Sequence, residues 1–173
     1  SATSVGAKNI IETCKIYNNF EDSVKGFNCI VATSTRIRNK NFNYISIKKL
    51  NKLNFKKKIA LIFGPESSGL SNNELSYANY IIKLPTNPKF ESLNLSHSVI
   101  ILCYELFNLL NSNTKTSSLS KKVKLVKKSE LIKLTNFLLK SLDKIGFLQP
   151  SEKRRFMVES IRSIFLKMNL SEK

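Results

Sequence analysis

At 173 residues and 42% hydrophobic content, the chain is long enough to bury a core as one domain, with room for an appendage. Its formal net charge of +17, from 29 Lys and Arg against 12 Asp and Glu, favours a polyanionic partner, and nucleic acid is the usual one. No apolar run approaches the roughly 18–20 residues of a membrane span, which excludes a helical membrane protein as the reading of this stretch.

The N-terminus, S-A-T-S-V-G-A-K-N-I, has neither an initiator Met nor a signal sequence, so it reads as the start of a fragment or a processed product. The basic residues cluster at 48–58, 115–128 and 153–155; a bias toward Lys adds charge but does not gather it. Cys14, Cys29 and Cys103 are odd in number and far apart in apolar surroundings, as expected of buried thiols in a reducing compartment, the cytoplasm. His97 is the single histidine, so a His-rich metal centre is excluded and no metal is expected.

In chain order, a short helix is expected over residues 7–14, an extended piece over 15–17, and a second short helix over 20–25 stopped by Gly26. Residues 28–33 form an apolar strand run that empties into Ser34-Thr35-Arg36. A basic stretch follows, then strand 58–63, the loop 64–69, a helix start at 71–75, strand 80–84, the loop 85–91 and a helix over about 93–110. Short, wholly apolar strands separated by helices indicate an α/β fold with a parallel sheet covered on both faces. Residues 112–128 read as a polar linker. Beyond it, Leu131, Leu134, Phe137, Leu138 and Leu142 recur at helical spacing up to Gly146, and Pro150 stands near the start of another helix bearing Phe156, Ile161, Ile164 and Phe165. The domains expected are thus residues 1–111, the linker 112–128 and a helical extension over 129–173.

The segment 59–105 carries the chemistry, because strand ends that open onto Gly-, Ser- and Asn-rich loops are where α/β proteins bind ligands. G-P-E-S-S-G-L-S, residues 64–71, has the glycine spacing of a P-loop, but Leu70 stands where its Lys belongs. A nucleophile elbow needs G-x-S-x-G, and the order Ser67, His97, Asp143 does not suit an α/β-hydrolase. What remains is a ligand loop made mainly of backbone: Gly64 and Gly69 allow tight turns, and free N–H groups there can receive an adenosine-bearing cofactor. Ser71 with Glu74 fits a capping box. Ser92 through His97 form a second polar cluster at a helix start, where Ser92 or Asn94 can cap and His97 reads as an ordinary helix residue.

At these residues the sequence resembles the SpoU/TrmH-type RNA ribose 2′-O-methyltransferases of the SPOUT class. The family motif F-G-x-E-x-x-G-L is met by F-G-P-E-S-S-G-L at 63–70. The motif I-P … S-L-N-V-S is met by Leu84-Pro85 and S-L-N-L-S at 92–96, with Tyr104-Glu105 at the usual distance. Upstream, Val5-Gly6-Ala7 and A-T-S-T-R-I-R at 32–38 resemble the TrmJ subgroup, which also carries a helical C-terminal extension.

The resemblance implies an α/β-knot fold in which the region 84–95 threads under an earlier loop. It implies 2′-O-methylation of a tRNA ribose, at nucleotide 32 of the anticodon loop, with S-adenosylmethionine (AdoMet) as cofactor and a homodimer as the working form. Thr33, Ser34, Thr35, Gly64, Gly69, Leu84, Ser92, Leu93 and Asn94 would bind the cofactor. Asn94 and Ser92 would orient the reacting groups, Glu66 would support them, and Arg36 and Arg38 would meet RNA phosphate. A first motif, a strand and helix bearing a catalytic Arg, would precede Ser1. The alternatives are methylation of another tRNA or an rRNA ribose, or a non-catalytic RNA-binding module on the same fold.

Overall fold

Among the described residues four short strands pair side by side, and their period of two decides what lies above and below them. The computed structural model describes residues 6–35, 42–90, 92–112, 126–168 and 170. Strands β1 (Cys29–Thr33), β2 (Tyr44–Ser46), β3 (Ile59–Ile62) and β4 (Tyr80–Lys83) form a wholly parallel sheet of order β2-β4-β1-β3. In β1, Ile30 and Ala32 point to one face and Cys29 and Val31 to the other. Ile81 and Ile82 of β4 divide in the same way. With both neighbours hydrogen-bonded and both faces covered, β1 is the centre of the molecule, and Ile30, Val31 and Ala32 are completely buried.

Among the described residues there are six helices: α1 (Lys8–Glu12), α2 (Phe20–Val24), α3 (Asn72–Leu75), α4 (Leu95–Ser112), α5 (Lys128–Lys144) and α6 (Ser151–Lys167). One face is covered by Val24, Leu75, Tyr77 and the extension residues Leu131, Ile132 and Leu166, so α5 and α6 share a hydrophobic cluster with the strands. The other face is covered by Leu102 of α4 and by a 3-10 segment, Ile47–Lys52, whose Ile47 and Leu50 are buried.

Polar ties fix the extension further. The Asn79 side chain accepts from the Ile30 N–H (2.9 Å) and donates to the Leu166 carbonyl (2.9 Å), joining the central strand to the end of α6. Arg162 of α6 donates to Asn73 (2.8 Å), lies over the Tyr77 ring at 5.0 Å and stands 3.6 Å from Glu21, which accepts from the Tyr77 hydroxyl. Helix α5 ends in a Schellman motif: Gly146 takes φ +74, its N–H donates to Asp143 (3.1 Å), and the Phe147 N–H donates to Leu142 (3.0 Å).

Several expectations are corrected. Residues 15–17 form no strand, and Gly26 does not stop α2 in a left-handed conformation, since the helix ends at Val24 with Lys25 still right-handed. The basic stretch hides β2 and the 3-10 segment: Phe42, Ile45, Ile47, Leu50 and Leu53 are buried while the lysines between them face water. Cys29 is buried as expected, but Cys14 and Cys103 are exposed. Arg36 and Arg38 lie outside the described residues.

Lys128, the first residue of α5, is completely buried, and its Nζ has no hydrogen-bond partner among the described residues. Burial lowers its pKa to about 8, with a smaller opposing effect of the nearby Cys29 thiol. The unfolded chain therefore holds this proton more tightly, and stability should rise with pH from about 8 upward. Above pH 9 the Cys29 thiol, pushed up to about 11 by burial, acts in the opposite sense. Lys128→Met is expected to stabilise the fold by roughly 1–3 kcal/mol at neutral pH and to remove the rise between pH 8 and 9. Denaturant unfolding of both chains across that range checks this, and an unchanged slope in the variant contradicts it.

Candidate active site

Because all four strands run the same way, their carboxyl ends lie along one edge of the sheet, and the loops leaving them enclose a cleft of about 600 Å³. Thr33, Ser34 and Thr35 enter from the end of β1, residues 64–70 from the end of β3, and Leu84 from the end of β4; Ser92, Leu93, Leu95 and Ser98 close the wall at the start of α4. Ser34 prolongs the β1–β4 pairing by donating its N–H to Ile82 (3.1 Å), and the Thr33 hydroxyl donates to the Ile62 carbonyl (3.2 Å). The polar end of β1 is therefore held rigidly at the mouth of the cleft.

The loop after β3 closes on itself. The Gly69 N–H donates to the Pro65 carbonyl at 2.7 Å, and Gly69 adopts φ +65, a conformation that disfavours side chains. Gly64 packs so closely on the returning chain of the loop that a Cβ there would overlap the backbone of Gly69 and Leu70. Leu70 itself is buried in the core and pins the loop from below. Next, the Ser71 hydroxyl accepts from the Glu74 N–H (3.2 Å) and the Glu74 carboxylate accepts from the Ser71 N–H (2.6 Å), the capping box expected from the sequence.

Two residues 28 positions apart join the loops. The Glu66 carboxylate accepts from the Asn94 side-chain amide at 2.5 Å and from the Leu95 N–H at 3.3 Å. Asn94 in turn caps α4, its Oδ1 accepting from the Ser96 N–H (2.9 Å) and hydroxyl (2.5 Å). Glu66 thus sits as an anion at the amino end of an 18-residue helix, where the helix dipole favours it. Thr33, Ser34, Thr35, Gly64, Glu66, Gly69, Leu84, Ser92 and Leu93 all line the cleft. Asn94 is not part of the lining and meets the site through Glu66.

One part of the wall is legible in the sequence only as the loop 85–91, without its individual residues. Residues 87–90 form a tight turn, with the Phe90 N–H donating to the Asn87 carbonyl (2.9 Å) and the Lys89 N–H to the Asn87 side chain (2.9 Å). The turn brings Pro88, Lys89 and Phe90 to the cleft, and Phe90 is 76% exposed there. The Asn-Pro pair in T-N-P-K-F was the available signal. Among the described residues of the lining, Lys89 is the only cation. No group of three or more His, Cys, Asp or Glu that could hold a metal ion occurs among the described residues, and no helix there is long and apolar enough to cross a membrane.

A parallel sheet whose strand ends open into a glycine-walled cleft defines a ligand-binding α/β domain, and comparison with known proteins narrows the class. The chain belongs to the SpoU rRNA Methylase family, whose model matches residues 1–104. It is 35% identical over 127 residues to a protein of Sulfolobus acidocaldarius named tRNA (cytidine-2′-O-)-methyltransferase TrmJ, covering 70% of this chain and 52% of that one. It is 28% identical over 184 residues to the tRNA (cytidine/uridine/adenosine-2′-O-)-methyltransferase TrmJ of Pseudomonas aeruginosa, covering 99% of this chain and 71% of that one. The crystal structure of TrmJ from Z. mobilis superposes with a TM-score of 0.82 at 23% identity, over 96% of this chain and 71% of that one. The chain spans about half the length of several curated relatives it matches.

Gly64→Ala is expected to lose roughly 1–3 kcal/mol of stability, the usual cost of overpacking a close contact. Glu66→Ala should lose roughly 0.5–2 kcal/mol, the scale of a lost helix cap. Denaturant unfolding of each variant measures both, and a Gly64→Ala chain as stable as the parent contradicts the observed loop closure.

Proposed function

We propose that the chain carries the cofactor-binding part of the catalytic site of an AdoMet-dependent enzyme that methylates a ribose 2′-hydroxyl of tRNA, with nucleotide 32 of the anticodon loop as its target and the catalytic Arg of the first motif outside this stretch. The observation that carries this reading is the convergence of three sequence-distant stretches, residues 33–35, residues 64–70 and the group 84, 88–90, 92 and 93, on one cleft. The family model and the names of the relatives support the reaction class.

The cleft fits AdoMet. Its volume lies within the range of small-molecule sites, and the Gly64 contact that no side chain could occupy keeps the wall thin and its polar backbone within reach. When bound, AdoMet supplies an electrophilic methyl group. In this reading Gly64, Gly69, Leu84 and Leu93 hold the donor by backbone and apolar contact. Thr33, Ser34 and Thr35 meet its polar groups, and Ser92 faces the ribose. Glu66 and Asn94, joined by their mutual hydrogen bond, would act as positioning residues that hold the β3 loop against α4. Methyl transfer then gains mainly from holding the 2′-oxygen and the methyl group in line. The knot is proposed with the family resemblance, and β4 lying between β1 and β2, after the chain has passed through β3, is consistent with it. The extension 129–173, together with the lysines at 48–58, would hold the tRNA backbone. No metal is needed in this reading, and a reducing compartment, the cytoplasm, suits the three free cysteines.

A homodimer is part of the same proposal. Helix α4 buries Leu102 but leaves Ile100, Tyr104 and Phe107 64–67% exposed along its outer side, an apolar face that a second copy would cover.

Three outcomes test the proposal. Calorimetry should detect AdoMet binding to the parent and at least tenfold weaker binding to Gly64→Ala. RNA from cells lacking the gene should lose one tRNA ribose methylation, whereas loss from rRNA alone would move the substrate there, and no loss would favour a non-catalytic module. Tyr104→Glu combined with Phe107→Glu should convert a sedimenting dimer to monomer, and a parent that is already monomeric contradicts the dimer.

A further inference from the structure

A second cleft, of about 400 Å³, opens at the same edge of the sheet between the ends of β2 and β4. Its floor is apolar, formed by the buried Ile45, Ile47 and Leu84 together with Pro85. Its rim is polar and cationic: Lys48 and Lys83 stand on it with the hydroxyl residues Ser46 and Thr86, and no Asp or Glu is among its lining residues. Ser46 accepts from the Lys48 N–H at 3.4 Å, which fixes the start of the 3-10 segment and the root of the Lys48 side chain. Exposed Lys49 and Lys52 continue the positive surface along that segment. Leu84 lines both this cleft and the first one, so the two sites are neighbours separated only by the chain leaving β4.

An apolar floor beside ammonium groups suits a nucleotide, whose base has an apolar face and whose phosphate is an anion. We propose that this second cleft seats a nucleotide adjacent to the methylated one, with the base over the Ile45–Leu84 floor and a phosphate against Lys48. This rests on the function proposed above, since the target ribose must lie over the first cleft. A protein strand added to the β2 edge is the competing occupant. The cationic rim and the +17 charge of the chain favour RNA.

The site does a specific job in this scheme. A phosphate contact beside the cleft carries little sequence information, but it sets the register of the strand over the reacting groups. It also acts on the RNA alone, because no group of the second cleft other than Leu84 faces the first.

The test uses the whole chain, unfractionated tRNA and AdoMet. Lys48→Glu changes an exposed side chain, and Lys8→Glu, on the exposed surface of α1, serves as the charge-matched control. Filter binding across a salt series should show Lys48→Glu binding tRNA at least about tenfold more weakly, with the salt slope reduced by about one, while the control stays within about twofold. Calorimetry should find AdoMet affinity unchanged in both. Equal tRNA binding by the two variants overturns the second cleft and leaves the proposed function standing. A loss of AdoMet affinity in Lys48→Glu assigns the cleft to the donor and likewise overturns it. A parent that binds AdoMet but not tRNA overturns the proposed function, and the second cleft falls with it.

Discussion

Parallel pairing of four short strands is the constraint on which the rest depends. It puts every strand's carboxyl end on one edge, so the loops after β1, β3 and β4 meet without being near in sequence. Parallel strands also need cover on both faces, and here two different parts of the chain provide it. The 3-10 segment and α4 take one face, and α3 with the extension helices takes the other. Losing either layer would expose β1, the strand with no water-facing side.

One wall of the cleft is a tightly closed loop. Gly64 against Gly69, the Gly69–Pro65 hydrogen bond and the buried Leu70 make one closed loop. The Glu66–Asn94 bond ties that loop to the amino end of α4. Such an arrangement suits a reaction that gains mostly from alignment. It also explains why templates based on a catalytic Ser or a phosphate-binding Lys found no match at residues 64–71. The extension contributes at a distance: Asn79 links the Leu166 carbonyl of α6 to the Ile30 N–H, so a helix contacting RNA would be mechanically joined to the strand that presents residues 33–35.

Much of this was legible in the sequence, for particular reasons. β1 and β3 are unbroken apolar runs and β4 nearly one, each followed by a loop rich in Gly, Pro, Ser or Asn, and α4, α5 and α6 have helical spacing with Gly146 and Pro150 at their boundaries. The capping box at Ser71 and Glu74 is local chemistry, readable at a spacing of three. β2 was not legible because its three residues are shorter than any periodic window, and lysines interrupt the apolar positions after it. The strand order and the Glu66–Asn94 bond were hidden for another reason: each joins residues far apart in sequence, and only the folded sheet brings them together. The exposure of Cys14 and Cys103 shows the limit of judging burial from apolar neighbours, since α4 carries an apolar face that nothing in the described chain covers.

The central claim is that the cleft lined by residues 33–35, 64–70, 84, 92 and 93 receives a methyl donor. Amide hydrogen exchange of the whole chain with and without AdoMet tests it most directly. The account predicts added protection at residues 64–69 and 92–95, with the amides of 131–144 in α5 unchanged. Protection confined to the extension, or none at saturating AdoMet, would contradict it.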